Sequence, residues 1–114
     1  MKFRKYQHIE KLNTIETNGI ENGLCYVFPK IDGTNGSVWF ENGEIKAGSR
    51  NRELTLDCDN AGFYEWVLQQ ENIKRFFENN PDCTLYGEWL VPHTLKTYRE
   101  ESWRKFYVFD IIQE

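Results

Sequence analysis

Apolar and polar positions along the chain change period twice. Leu24-Cys25-Tyr26-Val27-Phe28 is a continuous apolar run, and Ser37-Val38-Trp39-Phe40 begins an alternating one. Their β-branched and aromatic content predicts strands over about 24–30, 36–41 and 44–49. Asn42-Gly43, between the last two, predicts a two-residue hairpin turn, because both central positions need positive φ. From residue 61 the period lengthens. Phe63, Trp66, Val67, Ile73, Phe76 and Phe77 share a helical face, while Glu65, Gln69, Glu71 and Lys74 face away. This predicts one long helix over about 61–79, with Asn60 as N-cap and Asn79-Asn80-Pro81-Asp82 as its stop. Strands return over about 84–91 and 105–112, around a polar segment, 92–104. Phe3, Tyr6, Ile9 and Leu12, spaced by threes, suit a short docking helix or turn, and 13–23 read as a loop. The sum is an α+β fold: a mainly antiparallel sheet with one long covering helix.

Composition narrows the class. A chain of 114 residues is one domain by the usual prior. Hydrophobic residues at 39% and aromatics at 16% exclude a disordered chain. Fourteen basic against eighteen acidic residues give a net charge of −4, which is no general nucleic-acid signature and leaves room only for a local basic patch. Cys25, Cys58 and Cys83 are odd in number and have no C-x-x-C pairing, so they read as reduced thiols. No apolar run has membrane-spanning length and no signal-peptide core opens the chain, so a cytoplasmic protein without a membrane partner is expected.

The densest chemistry lies at Lys30-Ile31-Asp32-Gly33-Thr34-Asn35-Gly36. A strand ending at Lys30 would deliver the lysine to a tight turn, where partial desolvation makes an amine nucleophilic. Three more segments follow in order: Ser49-Arg50-Asn51-Arg52-Glu53, Leu85-Tyr86-Gly87-Glu88-Trp89-Leu90 and Lys105-Phe106-Tyr107-Val108-Phe109-Asp110-Ile111. With Phe3-Arg4-Lys5-Tyr6 and Ile9-Glu10 at the start, this series resembles the ATP-dependent RNA ligases, the nick-sealing branch of the covalent nucleotidyltransferase superfamily. The resemblance spans nearly the whole chain. It implies the N-terminal half of a nucleotidyltransferase (ATP-grasp-like ligase) domain.

The resemblance also implies roles. Lys30 would attack the α-phosphate of ATP to give lysyl-AMP; AMP would pass to an RNA 5′-phosphate, and a 3′-hydroxyl would seal the strand, as in RNA repair. Ile31, Asn35, Arg50, Glu88 and Phe109 would bind the nucleotide. Asp32 and Glu88 would hold Mg²⁺. Read from the residues alone, Asp32 and Asn35 serve equally as turn residues, and Glu88 as half of a structural ion pair. Phe109 in an alternating aromatic strand reads as core, sharing a face with Tyr107 and Ile111. Arg52, two residues beyond Arg50, would face the same way on an extended strand. The basic and aromatic mixture of His93, Lys96 and Arg99 with Tyr98 and Trp103 suits RNA contact or a solvated loop.

One feature of the family pattern is missing. Family members continue with an E-G-x-V-x-K motif and a K-x-K-like pair, and neither occurs in these 114 residues. The expectation is a partial adenylation domain over 1–114, completed by further chain, a partner chain or a second copy. The alternatives are a non-catalytic or split module binding nucleotide or RNA ends, and a DNA ligase or capping enzyme. The segments around Lys30 and Phe109 resemble the RNA-sealing branch more closely than these last two.

Overall fold

The computed structural model describes residues 2–92 and 97–114. Its frame is a four-stranded antiparallel sheet: β1 (Thr34–Glu41), β2 (Glu44–Gly48), β3 (Cys83–Leu90) and β4 (Lys105–Gln113), in the order β2-β1-β3-β4. The β1–β2 hairpin turns on Asn42 and Gly43, with φ of 53° and 80°, the two positive values the sequence predicts. Val38, Ala47, Leu85 and Trp89 project to one face and pack with Leu54, Phe63, Val67, Ile73 and Phe77 in a single buried cluster.

The covering element is two short helices, not one long helix: α1 (Phe63–Leu68) and α2 (Glu71–Asn79). Gln70 between them is extended, at φ −93° and ψ 109°. Packing explains the break. Phe63 lies against Trp89 and Phe106 near the start of β1, and Phe77 stacks on Phe40 near its end. Gly36, beside Phe63, and Phe40 are about 13 Å apart along a strand. Phe63 and Phe77 would be about 21 Å apart along a straight helix. A bend brings both ends onto the strand. The cap also differs from expectation: the Asp59 carboxylate accepts the Tyr64 and Glu65 N–H groups at 2.9 and 3.1 Å, while Asn60 Nδ2 donates to Thr34 Oγ1.

Two N-terminal expectations are corrected. Residues 24–30 form no strand, and Val27 and Phe28 are 91% and 79% exposed. Among the described residues no strand pairs with this run, and β-prone composition without a neighbour does not make a strand. Residues 2–11 are an extended strap, with no helix; the loop 13–23 contains one 3₁₀ turn, Ile15–Thr17. Phe3 lies on Trp39, and Tyr6 lies on Tyr86 and Phe109, so the strap crosses the sheet face opposite the helices. Among the described residues no helix is long and apolar enough to cross a membrane.

Candidate nucleotide site

Strand pairing decides which side chains meet on the helix-free face. Asn35 pairs with Glu88, and Glu88 pairs with Tyr107, so the three stand in a row across β1, β3 and β4. Further along, Tyr86 pairs with Asp110 while Gly87 pairs with Val108, leaving Phe109 as an extra residue in a β-bulge. A bulge shifts the side-chain phase by one. Phe109 keeps the face of Tyr107, as the alternation predicts, but Ile111 does not. It pairs with Leu85 and borders a groove on the helix side with Ile73, Phe76, Leu85 and Phe106. The same shift brings Asp110 to the Tyr6 hydroxyl, which donates to it at 2.7 Å.

A cavity of about 1010 Å³ opens over this row. Lys30, Ile31, Asn35, Arg50, Glu88 and Phe109 all line it. Lys5, Tyr6, Gln7, His8 and Ile9 of the strap form another wall. None of the five strap residues is marked by the sequence reading as a site residue; the legible signal was the aromatic Tyr6 three residues after Phe3.

The lysine reaches the cavity from a turn, not from a strand end, and is exposed. Protein burial therefore does not desolvate its amine. The turn itself is tightly held. Gly33 crosses the backbone of β3 so closely that an added Cβ would overlap the Trp89 carbonyl oxygen. The Asp32 N–H donates to Tyr98 Oη at 3.0 Å, and the Gly33 backbone lies near the Glu88 carboxylate. Glu88 is half-buried, and that burial pushes its carboxyl above the usual glutamate range. The Gly33 N–H, Arg50 and Lys30 pull it back down, and Asp32 nearby adds to the rise.

The two arginines part company. A hydrogen bond from the Ser49 N–H to the Arg52 carbonyl closes a turn over 49–52, so the segment is not the extended strand expected. Arg50 faces the cavity; Arg52 does not line it, and donates from Nη1 and Nη2 to the Cys58 and Asp59 carbonyls at 2.7 and 3.2 Å. Arg99 is exposed and also lies off the cavity wall, and His93 and Lys96 fall outside the described residues. Among the described residues no three His, Cys, Asp or Glu side chains cluster as a metal cage. Of the two carboxylates expected to hold a metal, Glu88 lines the cavity and Asp32 does not; Asp32 stands near enough to act on the Glu88 carboxyl as a like charge.

The family model described as RNA ligase matches residues 24–114, more than half of the chain. The chain belongs to the RNA ligase family. A comparison with curated proteins finds no match. Membership of the RNA ligase family supports a ligase-related function. The RNA ligase match contains Lys30, Asn35, Arg50, Glu88 and Phe109, and begins after the strap that completes their cavity.

Proposed function

We propose that this chain is an RNA ligase adenylation module in which Lys30 takes AMP from ATP. The observation that carries the reading is the shared cavity: a lysine, an arginine, a half-buried carboxylate and an aromatic ring line one space on the open sheet face. Each group has a job suited to its chemistry. Lys30 Nζ, once deprotonated, attacks the α-phosphorus; a P–N bond forms, the bond to the pyrophosphate oxygen breaks, and pyrophosphate leaves. Arg50 offers a planar guanidinium to phosphate oxygens. Glu88 accepts from a ribose hydroxyl, and the Phe109 ring stacks on the base. Because Lys30 is exposed, the bound nucleotide is what shields its amine from water. AMP then passes to an RNA 5′-phosphate, and a 3′-hydroxyl displaces it as the strand seals.

Mg²⁺ fits the chemistry of Asp32 and Glu88, since this ion is commonly held by one or two carboxylates together with substrate phosphates. It would neutralise phosphate charge there.

The test is incubation with ATP radiolabelled at the α-phosphate and Mg²⁺, followed by denaturing electrophoresis. With the segments bearing the E-G-x-V-x-K and K-x-K-like motifs supplied, a covalent label that disappears in Lys30→Ala is expected, whereas the 114 residues by themselves are expected to label little. Chase with nicked RNA bearing a 5′-phosphate is expected to discharge the label. A label that survives Lys30→Ala overturns the nucleophile assignment. A label that discharges onto DNA or a capped end but never onto RNA overturns the substrate.

A further inference from the structure

We infer that Tyr98 is a positioning residue for Lys30, acting through the backbone of the turn that carries it; this rests on the reading of Lys30 as the nucleophile. Tyr98 lies on the connection between β3 and β4, 68 residues beyond the lysine in sequence. Its phenol oxygen accepts the Asp32 N–H at 3.0 Å. The next residue, Gly33, is crowded against β3, where an added Cβ would overlap the Trp89 carbonyl oxygen. The turn is thus held by one hydrogen bond from the β3–β4 connection and by close packing on the backbone of β3.

The acceptor is itself well anchored. The Tyr98 ring meets Trp103 edge-on, with centroids 5.4 Å apart and planes at 79°. Beyond Trp103 the Arg104 N–H donates to the Leu90 carbonyl at 2.7 Å, and Tyr107 Oη donates to the Ser102 carbonyl at 2.9 Å. Residues 98–107 are therefore a bracket pinned to the sheet. Lys30 is exposed, so its direction is inherited chiefly from the turn. Tyr98 does not line the cavity. It accordingly governs how well the amine is aimed, and leaves nucleotide affinity alone.

Tyr98→Phe keeps the ring on Trp103 and deletes the acceptor. Single-turnover adenylation at saturating ATP is expected to slow about 10-fold, with the half-saturating ATP concentration unchanged and the Asp32 amide exchanging faster with solvent. Trp103→Leu, which unseats the ring, gives a second route to the same slowing if Tyr98→Phe fails to fold. Wild-type labelling at Lys30 combined with full-speed labelling in these variants overturns the inference and leaves the nucleophile standing. Should the wild-type chain never label even with the missing motifs supplied, the nucleophile reading falls, and competitive acetylation read by mass spectrometry decides on Tyr98 alone. A changed Lys30 rate relative to Lys46 and Lys74 in Tyr98→Phe supports the positioning role; an unchanged one ends it.

Discussion

Tyr6 donates its hydroxyl to Asp110 Oδ2 at 2.7 Å, joining the first residues of the chain to the last strand across 104 positions. The contact exists only because the bulge at Phe109 turns Asp110 toward the strap. It also closes one wall of the cavity, since the Tyr6 and Phe109 rings meet in a T-shape with centroids 5.2 Å apart.

Removing that hydroxyl should be felt in stability. Tyr6→Phe is expected to lower the unfolding free energy by about 1.5–3 kcal/mol in urea titration near pH 7, the range for a hydrogen bond to a carboxylate. Burial first, then Asp110, raises the Tyr6 pKa above the ordinary 10.0. The folded state thus holds this proton more tightly than the unfolded one. The stabilisation is complete below pH 10 and declines as the pH climbs through the raised value. The gap between wild type and Tyr6→Phe should therefore narrow in alkaline buffer, and a gap that widens would contradict the assignment.

Glu88 carries the same sign of shift, with the opposite consequence at neutral pH. Its folded carboxyl is raised above the ordinary glutamate value of 4.5, chiefly by burial, so ionisation costs the folded state. The associated stabilisation is present below that value and lost as the pH rises through the folded pKa. Melting temperatures of Glu88→Gln and wild type, compared from acid to neutral pH, should move in favour of the glutamine variant as the pH rises. The same variant is expected to lose ATP labelling, which separates a stabilising substitution from a functional one. A difference independent of pH would remove the desolvated carboxylate from the account.

Gly33→Ala tests the turn by sterics. The added methyl would overlap the Trp89 carbonyl, and backbone on backbone leaves little slack. A loss of about 1–3 kcal/mol in chemical denaturation is expected, the usual cost of overpacking, together with a reduced labelling rate at Lys30. A variant as stable and as fast as wild type would show that the turn moves freely.

What the sequence made legible follows from what is local. The hairpin was written into Asn42-Gly43, β3 into an apolar run and β4 into aromatic alternation, because turn chemistry and strand composition are properties of a few neighbouring residues. The break between Leu68 and Glu71 was not, since Gln69 and Gln70 are ordinary helix formers and the bend answers to Phe40 and Trp89, distant in sequence. Leu24–Phe28 misled for the converse reason: strand-forming composition carries no information on whether a neighbour stands beside it. At the cavity, Lys30, Arg50, Glu88 and Phe109 were found by motif order. Tyr6 and Tyr98 were marked only as a docking residue and as part of a basic, aromatic loop; the partner of each, Asp110 and the Asp32 N–H, lies too far along the chain for any spacing to announce it.

The bulge in β4 has an effect on the strand as a whole. A regular strand can slide by two residues along its neighbour and still present similar faces. β4 cannot, because its two halves keep opposite count on either side of Phe109. Any slip would strip Asp110 from Tyr6, or turn Ile111 toward the strap, or lift Tyr107 from beside Glu88. The extra residue works as an index mark: it locks the strand to a single reading against β3, so that one aromatic ring always arrives at the cavity wall.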